Sequence, residues 1–229
     1  MVTSASTIEA DLATNGFAVV QNFASSEAVE SLLSPLGTES LEDRAGTRQL
    51  HQRVPAVSEF LNGPEVKGRI DALIPCGFVV RSILFDKTPE TNWRVPWHQD
   101  LSICVKERHE LPGFSAWSVK EGVQHVHPPV EILAGIVTLR LHLDHCGEDN
   151  GPLRVIAGSH AHGRISPDEI SNWKNKGPIV SCTVRKGGAV IMKPLLLHSS
   201  SPAKNPNHRR VLHIEFASEP LPKPLEWIS

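Results

Sequence analysis

Short apolar runs separated by proline and glycine fill the last two thirds of the chain, and this pattern constrains the fold more than any other feature. The runs predict strands over residues 78–87, 97–105, 132–144, 153–156, 179–183, 189–193 and 210–217. Turn-forming pairs such as Pro128-Pro129 and Gly187-Gly188 lie between them. Many short strands with such turns are typical of an antiparallel barrel or jelly roll.

The first third of the chain has a helical pattern instead. Helices are predicted over residues 7–14, 54–62 and 64–74, with a further one that begins after an N-cap at Ser25 or Ser26. One strand, over residues 17–23, interrupts them. We therefore expect an α+β chain that is mainly β, with the N-terminal helices packed on one outer face of the barrel.

The length of 229 residues fits a single domain. Its expected parts are a helical annex over 1–77, a barrel core over 78–217 and a tail over 218–229. The net charge of -2 and the absence of a basic run argue against nucleic acid or a membrane as the partner. The sequence shows no signal peptide and no apolar run of membrane-spanning length, so we expect a cytoplasmic protein. Four dispersed cysteines indicate reduced thiols.

A His-x-Asp triplet gives the first indication of chemistry. His98 and Asp100 lie two residues apart in a predicted strand, so their side chains should project from the same face. An imidazole and a carboxylate are two of the three ligands in the facial triad of non-haem iron(II) oxygenases. A second triplet, His142-Leu143-Asp144, has the same spacing, and we interpret it as polar pairing at a strand end. Spacing alone does not choose between the two.

Residues near the C-terminus favour the first triplet. His198 ends the apolar run 195–197 and is a candidate third ligand. Arg209 follows eleven residues later and opens a predicted strand. A 2-oxo acid that chelates iron needs a cation at its far carboxylate, and a guanidinium group can bind that carboxylate with two hydrogen bonds. Arg210 should point to the opposite face, as a surface or structural charge.

Four blocks of sequence resemble the phytanoyl-CoA dioxygenase family, in the order that the family has them. They are Leu84-Phe85-Asp86-Lys87, Trp97-His98-Gln99-Asp100, Asn150-Gly151-Pro152-Leu153-Arg154-Val155-Ile156-Ala157-Gly158-Ser159-His160, and His198 with Arg209. The resemblance covers roughly residues 8–217. It implies a double-stranded β-helix (a jelly roll, or cupin-like barrel) and a dioxygenase that uses Fe(II), 2-oxoglutarate and O2. It also implies that His98, Asp100 and His198 hold the iron and that Arg209 binds the C5 carboxylate of 2-oxoglutarate.

Three further residues are candidate co-substrate contacts by the same comparison. Arg140 stands where many relatives have an aromatic residue; it could contact 2-oxoglutarate, bind a substrate carboxylate or pair with an acid. Ile83 is expected to pack against the 2-oxoglutarate chain, or to be a plain core residue. Arg48 aligns loosely with a basic contact in relatives, the alternative being an exposed salt bridge.

The predicted loop over residues 106–131 is expected to govern substrate choice. Trp117, Lys120 and His127 are its candidate substrate contacts, although each could be an ordinary packed or solvated residue. Relatives that halogenate lack the carboxylate ligand, so the presence of Asp100 predicts hydroxylation, or a related oxidation, of a small molecule with release of succinate and CO2. Two alternatives are a non-catalytic metal-binding cupin-like protein and a zinc-dependent hydrolase or isomerase.

Overall fold

The helices lie mainly in the first third of the chain. The computed structural model describes residues 4–37, 46–205 and 208–228. Its α-helices are α1 (Ala5–Thr14), α2 (Ser26–Gly37), α3 (Leu50–Arg53), α4 (Pro55–Asn62), α5 (Pro64–Leu73), α6 (Val130–Gly135) and α7 (Pro167–Trp173). The Ser4 hydroxyl caps α1 by accepting a hydrogen bond from the Thr7 amide, and prolines occupy the first turn of α4 and α5. None of the described helices is both long and apolar enough to cross a membrane.

The strands form three antiparallel sheets. They are β1 (Phe17–Val20), β2 (Thr47–Arg48), β3 (Phe78–Lys87), β4 (Val95–His98), β5 (Ile103–Val105), β6 (Ser115–Lys120), β7 (Val123–His127), β8 (Val137–His142), β9 (Leu153–Ile156), β10 (Ile179–Cys182), β11 (Ala189–Met192), β12 (His198–Ser200) and β13 (Arg209–Ala217). The major sheet has the order β1-β11-β8-β13-β3-β2, and the minor sheet β10-β9-β12-β4. A third sheet has the order β5-β7-β6.

Two hydrophobic clusters explain how the layers pack. On the outer face of the major sheet, alternate residues such as Leu139, Leu141 and Leu212 contact the apolar faces of the N-terminal helices. Between the major and minor sheets, residues such as Val155, Val190 and Met192 form a second cluster. Helices covering one face of a double-sheet jelly roll confirm the predicted fold class.

Three predicted elements have different bounds in the structure. The strand expected over 132–144 is a helix (α6) followed by the shorter β8, because Pro129 begins a helical turn that ends at Gly135. The strand expected over 97–105 is interrupted after His98, and pairing resumes at Ile103.

The loop expected over 106–131 is largely a hairpin of β6 and β7. Its turn residues, Glu121 and Gly122, both have positive φ angles, as a type I′ turn requires.

The strand β12 is held close to a tight turn that belongs to the long third sequence block. Gly151 has a φ of +58°, and a Cβ atom there would lie 2.5 Å from the Ser201 carbonyl oxygen. The Gly151 carbonyl in turn accepts a hydrogen bond from the Ser200 hydroxyl at 2.9 Å. Glycine is therefore required at this position, because any side chain would push the turn away from β12.

Candidate metal and co-substrate site

Two histidines face each other across the minor sheet. His98 on β4 pairs directly with His198 on β12, and their ring centroids are 4.2 Å apart. The Asp100 carboxylate lies between them, with Oδ1 at 3.7 Å from His98 Nε2 and Oδ2 at 3.6 Å from His198 Nε2. Asp100 lies beyond the end of β4, so the turn after the strand, and not the strand pleat, brings it beside His98.

Backbone carbonyls determine which imidazole nitrogens are free. His98 Nδ1 lies 2.9 Å from the Pro96 carbonyl oxygen, and His198 Nδ1 lies 2.9 Å from the Leu196 carbonyl oxygen. Each Nδ1 must therefore carry the proton and donate, which leaves a lone pair on each Nε2 facing Asp100. Asp100 Oδ2 is buried and has no hydrogen-bond partner among the described residues. This donor set fits a divalent metal ion held by two imidazoles and one carboxylate.

The protonation states of the site also suit metal binding. Burial lowers the pKa of His198 to about 3, although Asp100 opposes this shift. Burial alone would raise the pKa of Asp100, but the neighbouring His198 and His98 hold it well below its usual range. At neutral pH the site thus presents a neutral imidazole at His198 and an ionised carboxylate at Asp100, the forms that bind metal.

Two polar side chains hold the ligand-bearing segments together. Gln99 is buried; its amide nitrogen donates to the carbonyls of Gly163 and Leu195, and its amide oxygen accepts from the Ile165 backbone. The Ser159 hydroxyl accepts from the Leu197 amide at 2.9 Å. The chain segments next to Asp100 and His198 are therefore fixed by side chains that sequence reasoning did not single out. Gln99 belongs to the second and Ser159 to the third of the sequence blocks that carry the family resemblance, and this membership was the available signal.

A second group of potential ligands shares Asp100 with the first. Among the described residues, Asp100, His213 and Glu215 also have ligand atoms within 4.8 Å of one another. However, Arg140 donates to His213 Nδ1 at 3.0 Å, so the proton of His213 is on Nε2, which faces Glu215 at 3.1 Å. Glu215 also accepts a hydrogen bond from Arg81 at 2.9 Å. These groups satisfy one another, so this second cluster is a structural network and not the better metal site.

The candidate metal ligands open onto a cavity between the sheets. Its volume is about 250 Å³. It is lined by Arg81, Ile83, Phe85, Trp93, Val95, His98, Asp100, Arg140, Leu153, His198, Ser199, Ser200, Arg209 and His213. The predicted ligands and three predicted co-substrate contacts, Arg209, Arg140 and Ile83, thus surround one space.

Two buried cations, Arg209 and Lys87, lie on neighbouring strands beside β12, and Arg209 lines the cavity. Arg209 is 3% exposed, pairs across β13 and β3 with Lys87, and has no carboxylate within salt-bridge distance in the described part of the chain. Burial lowers the pKa of the Arg209 guanidinium. Lys87 is fully buried; its ammonium donates to the Ser200 hydroxyl at 2.9 Å and to the Ser201 carbonyl at 2.7 Å. Burial, together with the charge of Arg209, lowers the pKa of Lys87 to about 7.

The other predicted triplet is structural. The Asp144 carboxylate accepts from Arg210 Nε at 2.9 Å and from Nη2 at 2.7 Å, a two-pronged ion pair on the far side of β13. His142 is buried beside Arg140 and Arg209, and burial, with these charges, lowers its pKa well below the usual value. Asp144 therefore pairs as we interpreted, whereas His142 does not, because both of its ring nitrogens are buried without a hydrogen-bond partner among the described residues.

The remaining predicted contacts lie outside the cavity. Arg48 forms an ion pair with Glu121, the alternative that the sequence left open for it. The Arg108 guanidinium lies over the Trp117 ring, 5.4 Å from its centroid, and Lys120 is exposed on the hairpin of β6 and β7. His127 ends β7 in a half-buried position. In this structure none of the four residues lines the space beside the metal ligands.

Comparisons with known proteins agree with this architecture. The family model for phytanoyl-CoA dioxygenase matches residues 12–211. A search of curated proteins found no match.

Three solved structures share the fold. AviO1 from Streptomyces viridochromogenes Tue57 is 21% identical, with a TM-score of 0.67 over 97% of this chain and 99% of that chain. EctD from S. alaskensis, in a structure with 2-oxoglutarate and 5-hydroxyectoine, is 16% identical, with a TM-score of 0.70 over 92% and 74%. SnoK, a non-heme alpha ketoglutarate dependent carbocyclase from nogalamycin biosynthesis, is 15% identical, with a TM-score of 0.69 over 95% and 87%.

Proposed function

Because the chain belongs to the phytanoyl-CoA dioxygenase family, we propose that it is an iron(II)- and 2-oxoglutarate-dependent oxygenase that hydroxylates a small molecule. The family supplies the general reaction type and the cofactors, Fe(II), 2-oxoglutarate and O2. One observation carries the proposal for this chain. His98, Asp100 and His198 turn their free donor atoms towards one another at one end of a cavity, and Arg209 lines the other end.

The three ligands occupy one side of the metal position and leave the cavity side open. When bound there, iron(II) and 2-oxoglutarate supply the oxidation: 2-oxoglutarate and O2 yield succinate and CO2, and one oxygen atom is transferred to substrate. The hydrogen bonds from the histidine Nδ1 atoms to backbone carbonyls keep both Nε2 lone pairs aimed at the metal. Five residues supply apolar surface to the cavity: Ile83, Phe85, Trp93, Val95 and Leu153.

Arg209 is proposed to bind the far carboxylate of 2-oxoglutarate. Its guanidinium is buried without a carboxylate partner in the described residues, and a buried cation of this kind is stabilised when an anion binds. Ile83 would pack against the methylene groups, because it lines the same cavity. A zinc-dependent hydrolase and a non-catalytic metal-binding protein both leave Arg209 without a role.

Asp100 favours hydroxylation over halogenation. The EctD structure contains 5-hydroxyectoine, whereas SnoK closes a ring, so the fold alone does not choose the outcome. A carboxylate in the metal-facing position leaves no free ligand site for a halide. We also propose that the helices before residue 78 and the strands after it act as one catalytic domain, because the helices cover the outer face of the sheet that bears Arg209.

An anaerobic titration tests the proposed function directly. Purified metal-free protein would receive iron(II) and then 2-oxoglutarate, and the visible metal-to-ligand charge-transfer band would be recorded. We expect the band in the wild type and its loss in His198→Ala, since this change removes a buried ligand. Retention of tightly bound zinc without any band on iron loading would instead identify a metal-binding protein of another class.

A further inference from the structure

Arg140 is a second buried guanidinium that the proposed function does not use. It is 8% exposed, lines the cavity, and lies over the Phe85 ring with 5.6 Å between the guanidinium carbon and the ring centroid. Arg140 donates a hydrogen bond to His213 Nδ1 at 3.0 Å, and its own Nε is buried without a partner in the described segments. No described carboxylate lies within salt-bridge distance of it. Such a cation is costly to bury unless an anion joins it.

The sheet register places the backbone of Arg140 nearer to the metal ligands than that of Arg209, although both guanidinium groups line the same cavity and, after burial, the charge of Arg209 contributes most to the lowered pKa of Arg140. Arg140 pairs with His213 across β8 and β13, and His213 lies four residues beyond Arg209 on β13. At about 3.3 Å per residue, the backbone positions of His213 and Arg209 are roughly 13 Å apart along β13. His213 is also close enough to Asp100 for their ligand atoms to lie within 4.8 Å. Arg140 thus belongs to the end of the cavity at which substrate must meet the metal.

The charges at this end do not balance without a further anion. Iron(II) would be neutralised by Asp100 and by the metal-bound carboxylate of 2-oxoglutarate, and Arg209 would be neutralised by the far carboxylate. Arg81 is already paired with Glu215 at 2.9 Å. Arg140 is therefore left without a carboxylate partner from either the described residues or the co-substrate. A carboxylate on the substrate would supply this partner, because its two oxygen atoms can accept both hydrogen bonds of the planar guanidinium fork.

We infer that the substrate carries a carboxylate group and that Arg140 binds it. The inference rests on the proposed function and extends it to the substrate class. The planar guanidinium is preorganised for this contact: Phe85 supports one face, His213 accepts from one Nη atom, and Glu215 fixes the tautomer of His213. Arg140 is thus assigned to substrate binding, with His213 and Glu215 as positioning residues.

Acetate and acetamide are matched probes for this assignment, because they share a shape and differ in charge. Each would be titrated by calorimetry into the anaerobic iron(II) complex in the presence of saturating 2-oxoglutarate. We expect wild-type protein to bind acetate at least tenfold more tightly than acetamide. Arg140→Gln should abolish this preference while the dissociation constant of 2-oxoglutarate changes less than threefold. Arg140→Lys, which keeps the charge, should retain most of the preference if Arg140→Gln does not fold.

Arg210→Gln is the control, since Arg210 lies on β13 but pairs with Asp144 outside the cavity; it should keep the preference for acetate. A wild-type complex without the preference, or an Arg140→Gln protein that keeps it, would overturn the inference. So would a loss of 2-oxoglutarate affinity in Arg140→Gln as large as that in Arg209→Gln. Absence of the charge-transfer band in the wild type, seen before any acetate is added, would instead overturn the proposed function and the inference with it.

Discussion

Replacing Arg209 with glutamine should weaken 2-oxoglutarate binding strongly and leave the fold intact. The guanidinium is 3% exposed and lies at the end of the cavity opposite the metal ligands, so a carboxylate bound there would be shielded from water. A hydrogen bond to a charged group contributes about 1.5–3 kcal/mol, and a two-pronged pair contains two of them. Glutamine can replace one bond, so we expect a loss of about 3 kcal/mol, which corresponds to a roughly 100-fold weaker dissociation constant.

The same variant should not lose folding stability, even though it loses affinity for 2-oxoglutarate. In the described residues Arg209 has no carboxylate partner, so the metal-free protein bears the cost of burying this charge. Arg209→Gln should therefore leave the free energy of unfolding unchanged or raise it by about 1 kcal/mol. A variant that simply damaged the fold would lose stability and affinity together.

The assay is the anaerobic charge-transfer titration, combined with chemical denaturation of the metal-free protein. Arg210→Gln is the matched neighbour: it breaks the ion pair with Asp144, should cost about 1 kcal/mol of stability, and should change 2-oxoglutarate affinity less than threefold. The reasoning would be refuted if Arg209→Gln bound 2-oxoglutarate within threefold of wild type, or if Arg210→Gln weakened binding to the same extent.

Two other changes test the site at different points. Asp100→Gly should reduce the rate of hydroxylation at least 100-fold, because it removes the only anionic ligand among the three proposed ligands. Mass spectrometry of the products measures this rate. Hydroxylation by the variant at the wild-type rate would contradict the prediction. Lys87→Met should raise the free energy of unfolding at pH 7 by on the order of 2 kcal/mol, because the folded-state pKa of Lys87 is lowered to about 7 from 10.5. Between pH 7 and 10.5 the unfolded wild-type protein then binds more protons than the folded protein. The free energy of unfolding of wild type should therefore rise relative to that of the variant as pH rises through this window. The free energies of unfolding of both proteins would be measured by denaturation at pH 7 and at pH 10. The same change between the two pH values in wild type and in Lys87→Met would contradict that reasoning.

The barrel was predictable because its strands are short, mainly apolar segments separated by turn-forming residues. The strands of residues 78–87 and 153–156 have the predicted bounds, since each is mainly apolar and is preceded by glycine or proline. The error at residues 132–144 has a physical cause. Val130 and Leu133 have a spacing of three that suits one helical turn, but a six-residue helix is too short to show a helical period.

The metal ligands could be proposed from sequence because their chemistry is specific, whereas the surroundings of the site required the structure. Asp100 and His198 are 98 residues apart, and the pairing of β12 with β4, which ends two residues before Asp100, brings them together. The hydrogen bond between Arg140 and His213 is another contact between distant residues that no spacing rule indicates. For Arg48 the sequence comparison suggested a role that the structure does not support. A loose alignment made Arg48 a candidate co-substrate contact, but in the structure it pairs with Glu121 away from the cavity.

The two proposed histidine ligands differ in how easily solvent can reach them. The side chain of His198 is 4% exposed and lies on an inner strand of the minor sheet, whereas that of His98 is 38% exposed and lies on the edge strand β4. An edge strand is paired on one side only, so it opens locally at a lower free-energy cost than the strands behind it. Metal exchange should therefore proceed through the His98 side, and its rate should follow the local opening of β4 and not global unfolding. The lability of the metal is in this sense a property of one short strand.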